Sequence, residues 1–389
     1  MSRTLLLKNG TLYPMDREPL VGDILLKDGK IAAIGASLDC GDAEVIDVTG
    51  RHLTPGLVDA HSHIGLLQSG TRDRNHNENT HPIVPQMRAI DSLDPLDLAF
   101  EEARRGGVTA CVTCPGSMNI VGGTCVAVKT AGNTLKKMLI KDGVAMKAAL
   151  GENPIFCQAS SPLYPNSRMG VAAKLREVLV AAQNYGEQLA RAEKNPSLFV
   201  PRDLAMEALQ PVLRREMPLK IHCHWHNDIL TAVRICEEFN LRYTLDHCTN
   251  GYLITDELRD ALQNGCEGFI LGPFGNYKGK HESGMSISYR NAKAFSDAGL
   301  PFCIMTDFYE TQPDSLLTHA ALAAAEGVPD DVAMKAVTLT AAGIVGLDDR
   351  IGSLTPGKDA DVAVFSHYPL DSKAKCVLTV INGEIVYTR

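Results

Sequence analysis

Two histidines one residue apart, His61 and His63, close the apolar run Leu57-Val-Asp-Ala-His-Ser-His-Ile-Gly65. In an extended strand, residues two apart point to the same face, so both imidazoles are presented to one spot at the strand's end. Imidazole is the commonest protein ligand for zinc and related ions, at about 2.0–2.1 Å. Leu219-Lys-Ile-His-Cys-His-Trp-His226 repeats the pattern. His222, nearer the apolar run, is the expected metal ligand; His224 stands further out, toward a substrate, and His226 belongs to the next helix. His247 follows the run that starts at Arg242, and Asp307 ends Pro301-Phe-Cys-Ile-Met-Thr-Asp307. Alone, Asp307 reads as a helix cap or turn residue. Placed after the last strand and opposite His61 around a closed ring, it is a candidate ligand and proton carrier. Glu152, at the end of Met146-Lys-Ala-Ala-Leu-Gly-Glu152, could bind one metal or bridge two; the plain alternative is a surface or cap carboxylate. Its rival is Lys147, a bridge once carboxylated, but it lies five residues earlier and is expected to sit too deep in the strand.

Chemistry of this kind needs a scaffold that brings distant strand ends together. Strand patterns fall at 57–63, 108–114, 124–129, 145–151, 219–224, 242–247, 268–272 and 302–306. Helical periodicity fits 94–105, 170–194, 202–215, 228–239, 255–264, 290–298, 313–325 and 330–346. About eight strands alternating with helices predict an α/β fold, a (β/α)8 TIM-like barrel whose chemistry lies at the C-terminal strand ends. The third strand is the weakest, and 122–132 alternatively forms a small excursion. The two ends of the chain read differently. Ile24 to Gly35 is a hairpin turning at Asp28-Gly29, and Cys376 to Tyr387 is another around Asn382-Gly383. Residues 1–54 and 350–389 are therefore expected to build one small composite β-sandwich, and 55–349 the barrel.

The chain has 389 residues, 45% hydrophobic and 22% charged, which is ordinary for a globular enzyme. A net charge of -8 argues against a nucleic-acid partner. No apolar run approaches the roughly 18 residues of a membrane span, and the opening run after Met1 is too short for a signal peptide. The 11 cysteines are scattered and odd in number, which suits reduced thiols in a cytoplasm. Cys111-Val-Thr-Cys114 is formally a CxxC, but it lies in a β-branched apolar run and reads as buried packing.

The whole chain resembles the amidohydrolase superfamily. The resemblance is carried by "DGKIAAIG", "LTPGLVDAHSH", "TLDHCT", "MTD" and the closing "IGSLTPGKDADVAVF…VINGEIVY". It is most similar to the imidazolonepropionase-related branch, although a "HADQ"-like fifth-strand run is missing. The resemblance implies a metal-bearing barrel with a composite β-sandwich, metal ligation by His61, His63, His222 and His247, and Asp307 as ligand and proton shuttle. Many members carry a carboxylated lysine on the fourth strand, where this chain offers Glu152, so one or two ions, most simply Zn2+, are implied.

The expected reaction is metal-dependent hydrolysis of a non-peptide C–N bond in an amide, cyclic amide or amidine. Asp307 takes the proton of the attacking water, and His224 or His247 donates to the developing oxyanion. The alternatives are a deaminase or an Xaa-Pro-like dipeptidase on the same barrel and, more remotely, a non-catalytic scaffold. A small-molecule substrate is expected to meet the strand-to-helix loops. Arg72, Arg74, His76 and His81 lie in one loop and could meet an anionic substrate, Arg72 first among them, while the plain alternative for most is a solvated loop. Arg168 could clamp a carboxylate or form a salt bridge, and Tyr289, beside a glycine-rich segment, borders a lid. No nucleic acid or membrane partner is expected; self-association follows only from the resemblance.

Overall fold

A computed structural model describes residues 4–39, 41–67, 75–157, 161–195, 197–274 and 288–389. The first strands are β1 (Thr4–Leu12), β2 (Leu20–Lys27), β3 (Lys30–Gly35), β4 (Glu44–Asp47) and β5 (His52–Pro55). The central ones are β6 (Leu57–Ser62), β7 (Val108–Thr113), β8 (Val121–Lys129), β9 (Leu139–Ala149), β10 (Leu219–Cys223), β11 (Tyr243–His247), β12 (Cys266–Leu271) and β13 (Phe302–Ile304). The chain closes with β14 (Val362–Phe365), β15 (Cys376–Ile381) and β16 (Glu384–Thr388).

The central strands form one eight-stranded sheet in sequence order from β6 to β13, curled into a nearly closed barrel. Helices cover its outside, among them Arg168–Lys194, His226–Glu238 and Leu316–Ala325. Apolar residues such as Leu219, Ile221, Leu245 and Phe269 are fully buried in the largest core cluster. The fold is mixed α/β, as the alternation predicts, but the barrel is not uniformly parallel. β8 pairs antiparallel with both β7 and β9. The reason is chain length. Only residues 114–120 join β7 to β8, and 130–138 join β8 to β9; a parallel crossover needs roughly a dozen residues or more. The excursion suspected at 122–132 is thus a reversed barrel strand.

Other boundaries shift for local reasons. The expected helix over 330–346 divides into Asp330–Lys335 and Leu339–Ile344, with Thr338 non-helical at φ -140°, ψ -101°. The last helix before β13 is Arg290–Asp297, and the first before β7 starts at Leu98, capped by the Asp97 carboxylate.

Strands from both ends of the chain are hydrogen-bonded into a single eight-stranded sheet in the order β16-β15-β14-β5-β1-β2-β3, with β4 also on β1. Its own core gathers Leu5, Leu7, Ile24, Leu26, Leu53, Val362, Val364 and Val380 from both ends. Lys129, at the foot of the reversed strand, is buried and pairs with Asp359 (2.9 Å) and Asp361. Lys30 and Arg350 also reach Asp359, at 2.7 and 2.9 Å, so a charged cluster ties the barrel to the terminal sheet. Cys111 and Cys114 are buried in different apolar clusters, on opposite faces of their strand. The ten described cysteines are all free thiols. Among the described residues, no helix is long and apolar enough to cross a membrane.

Candidate metal centre

The barrel mouth collects the side chains that the strand ends predict. His61 lies near the end of β6 and His63 follows that strand; His222 lies in β10, with His224 just beyond; His247 ends β11, and Asp307 follows β13. All six are buried. The ligand atoms of His61, His63 and Asp307 lie within 4.8 Å of one another, and so do those of His222, His224 and His247. Asp307 Oδ1 stands 3.5 Å from His61 Nε2 and 3.3 Å from His63 Nε2. The two groups adjoin, with the His61 and His247 ring centroids 5.6 Å apart.

Two of these residues break the strand rule. Neighbours in a strand point to opposite faces, yet Asp246 and His247 both turn inward, as do Thr306 and Asp307. Left-handed backbone at the second of each pair makes this possible, with φ 70° at His247 and 49° at Asp307. Such φ values in non-glycine residues cost energy and persist only where the surroundings hold them. Here the Asp307 N–H donates to the His61 carbonyl at 3.1 Å, and the next residue after His247 donates to Cys223.

Second contacts set the imidazoles. His63 Nδ1 donates to the Cys114 carbonyl at 2.7 Å and His247 Nδ1 to the Gly272 carbonyl at 2.8 Å. A carbonyl only accepts, so the proton is on Nδ1 and the Nε2 lone pair faces the centre. His61 Nδ1 contacts Asp246 Oδ2 at 2.5 Å, and Asp246 in turn faces Lys220 Nζ at 3.0 Å. Burial would raise the Asp246 carboxyl, but Lys220 and His61 outweigh it and keep it ionised, below its ordinary range. His224 Nδ1 meets Thr249 Oγ1 at 2.7 Å.

Burial, reinforced by the charge of Lys147, pushes His61 down to about 3. Burial also takes His247 to about 3, against the pull of Asp307. For Asp307, burial is outweighed by His63, His247 and His61, which hold its carboxyl well below the usual range. His61 and His247 are therefore neutral imidazoles and Asp307 a carboxylate, the protonation states a divalent ion requires. His247 Nε2 is buried with no hydrogen-bond partner among the described residues. An orphaned imidazole nitrogen aimed into a nest of other donors fits a metal site.

Lys147 corrects the expectation that it lies too deep. Its Cα is paired with Lys220 two residues below the end of β9, but its chain climbs to put Nζ 3.2 Å from His61 Nε2. Backbone depth alone misjudged it, because a four-carbon stem carries the amine toward the mouth. Glu152 is placed elsewhere. Gly151, at φ 89°, turns the chain after β9, and Glu152 begins the helix Glu152–Phe156. Its carboxyl is buried but belongs to neither ligand group. It borders a cavity of about 560 Å³ with Phe156, Ser167, Arg168, Met169 and Trp225.

Arg168 Nε contacts both Asp228 oxygens, at 3.1 and 3.0 Å, and the guanidinium lies 4.8 Å from the Trp225 ring centroid. The Tyr289 hydroxyl donates to the Phe274 carbonyl at 3.3 Å and meets His319 Nδ1 at 3.2 Å. Arg72, Arg74 and the glycines at 275 and 279 lie outside the described residues. His76 packs beside His63, ring centroids 5.2 Å apart, while His81 is exposed. Sequence reasoning missed Asp246 and Asn153. Asp246 stood in plain view before His247, but alternation hides it on the wrong face. Asn153 Nδ2 reaches His222 Nε2 at 3.2 Å and Ser117 Oγ at 2.6 Å, and no spacing signals it.

The profile of the Amidohydrolase family matches residues 284–387. An amidohydrolase from Thermotoga maritima, known from its crystal structure, is 35% identical and superposes with a TM-score of 0.94 over 99% of this chain and 100% of that one. Amidohydrolase tasK of Hapsidospora irregularis is 28% identical over 93% of this chain, which spans 39% of that protein. An allantoinase of Escherichia coli is 54% identical over 116 residues, 27% of this chain and 25% of that enzyme. The chain thus spans well under two thirds of either curated relative. End-to-end likeness at 35% identity, joined to a barrel mouth lined by these histidines and Asp307, makes the chain a member of the amidohydrolase superfamily.

Proposed function

We propose that this chain is a metal-dependent hydrolase of a non-peptide C–N bond, in an amide, cyclic amide or amidine. The observation that carries the reading is the meeting of six buried ligand-type side chains, far apart in sequence, in two adjoining groups. His61, His63 and Asp307 would hold one ion, and His222 and His247 a second, with His224 beside them. Imidazole nitrogen with a carboxylate suits zinc. The position of Lys147 against His61 favours it over Glu152 as the bridging group, in carboxylated form. A divalent ion at such a centre supplies a water whose pKa falls from about 15.7 to about 7, together with a polarised carbonyl.

The protein's own groups do the rest. Asp307, ionised and buried between His61 and His63, accepts the proton of the attacking water and returns it to the leaving nitrogen. His224, held through Nδ1 by Thr249, faces the substrate side and donates to the oxyanion, a role His247 shares if it is not committed as a ligand. Arg168 and Glu152 border the cavity beside the centre and would meet the far part of the substrate, with Tyr289 on the approach. Arg168 does so with Nε already committed to Asp228, so its contact with substrate is through the outer guanidinium or the Trp225 stack.

The partial match to an allantoinase favours a cyclic ureide or related cyclic amide as substrate. The finer placement in the imidazolonepropionase-related branch rests on the terminal motifs, and a cytoplasmic, self-associating enzyme on free thiols and on the family. The test is a panel of cyclic amides, ureides, amidines, aminopurines and dipeptides, assayed with added Zn2+ and a coupled ammonia readout. Ring opening or amide cleavage without ammonia supports the proposal. Ammonia from an aminopurine, or free amino acids from a dipeptide, would transfer the assignment to the deaminase or dipeptidase reading.

A further inference from the structure

The barrel sheet runs from β6 round to β13, but among the described residues no strand ladder joins these two, so the ring has a seam. At its lower level a turn between helices is wedged into the seam. Val58 N–H bonds to the Val337 carbonyl at 2.9 Å, and Ile304 N–H to the Ala336 carbonyl at 3.0 Å. At the mouth the two edges bond directly, Asp307 N–H to the His61 carbonyl at 3.1 Å and His63 N–H to the Phe308 carbonyl at 3.0 Å. Between these levels stands Asp59, almost wholly buried. Its Oδ2 accepts from the Thr306 hydroxyl at 2.5 Å, and its Oδ1 from the Thr306 and His61 backbone N–H groups, each at 3.3 Å.

We infer that Asp59 is a positioning residue: a side-chain clasp that replaces the missing ladder and sets His61 against Asp307. It grips the residue before Asp307 and the backbone of His61 at once, so the two ligands on opposite lips of the seam are indexed by one carboxylate. The three converging donors suit a carboxylate. Three donors converge on it, and a carboxylate is acceptor-only. An amide would turn its NH2 toward one of those donors and lose a bond there. Groups that support metal ligands from behind typically change affinity by about 10–100-fold when altered. The inference rests on the metal-centre reading above.

The test uses the whole chain, with Zn2+ affinity measured by chelator competition and site geometry read from the visible spectrum of the Co2+-loaded protein. Asp59→Asn is expected to bind the ion of the His61, His63 and Asp307 group at least tenfold more weakly and to alter the Co2+ spectrum. Thr306→Val removes the hydroxyl bond while keeping the backbone one, so it should show the same change to a smaller degree. Affinity at the His222, His224 and His247 group should stay within about twofold in both variants. Wild-type affinity and spectrum in Asp59→Asn would overturn the inference. Equal weakening of both groups in step with a fall in Tm would also overturn it, leaving Asp59 a structural residue only. A wild-type chain that takes up no divalent ion would overturn the metal-centre reading as well.

Discussion

Asp246→Asn separates two jobs that one carboxylate performs. Asp246 is fully buried, meets His61 Nδ1 at 2.5 Å and balances the Lys220 ammonium at 3.0 Å. The amide keeps an acceptor for His61 but removes the charge. Lys220, itself buried and held ionised chiefly by Asp246 against the effect of burial, is left unpaired. Breaking one half of a buried pair typically costs about 3–5 kcal/mol, a large share of a total stability of about 5–15 kcal/mol. Independently, His61 loses its anionic partner, which should weaken metal binding by about 10–100-fold, or about 1.4–2.7 kcal/mol.

The double variant Asp246→Asn with Lys220→Met removes the orphaned charge. It should regain most of the stability and none of the metal affinity. Thermal unfolding reads the first quantity and chelator competition the second. Recovery of both together in the double variant, or undiminished metal affinity in the single one, would refute the division of roles.

Other perturbations give further expectations. Asp307→Asn should cut turnover by about 10²–10⁴-fold, the usual worth of a positioned acid–base group, while metal analysis still finds ion bound. Lys147→Met should lower metal content and kcat, and the native mass of the wild-type chain should exceed that expected from its sequence and bound ions by one CO2 if Lys147 is carboxylated. Trp225 is the chain's only tryptophan, so a substrate analogue seated in the cavity beside Glu152 should change its emission, and Arg168→Ala should weaken that response. Asp359 is held below its ordinary range because Lys129, Lys30 and Arg350 outweigh burial. Its contribution to stability is therefore present above the unfolded carboxyl pKa of about 3.9 and fades as pH falls through the lower folded value. Asp359→Asn should lower Tm at neutral pH and flatten its decline in acid, as followed by circular dichroism melts.

The meeting of the candidate ligands was legible because each follows an apolar run, and a barrel places such residues at one mouth. His61, His63 and His222 needed only period-two alternation and the rule that chemistry sits at strand ends; His247 and Asp307 needed that rule alone, since left-handed backbone turns them inward. What stayed hidden depends on features a one-dimensional pattern does not carry. The length of the Lys147 side chain, rather than the depth of its backbone, decides what it touches. A left-handed residue at His247 lets Asp246 share its face. A glycine turn at 151 sends Glu152 into a helix. Likewise the strand pattern at 124–129 marks β8, while its reversed direction follows from connections too short for a crossover. The single hydrogen-bonded sheet at the chain ends, expected as a sandwich, reflects β1 pairing with β2, β4 and β5 along different parts of its length.

The proposed hydrolysis depends most directly on where a metal sits. Crystals of the chain grown with Zn2+ and measured on both sides of the zinc absorption edge would give an anomalous difference map. Peaks at the barrel mouth among His61, His63, Asp307 and the His222–His224–His247 group are the predicted result. A clear map with no anomalous peak there, or with zinc only on surface residues, would contradict the proposed chemistry.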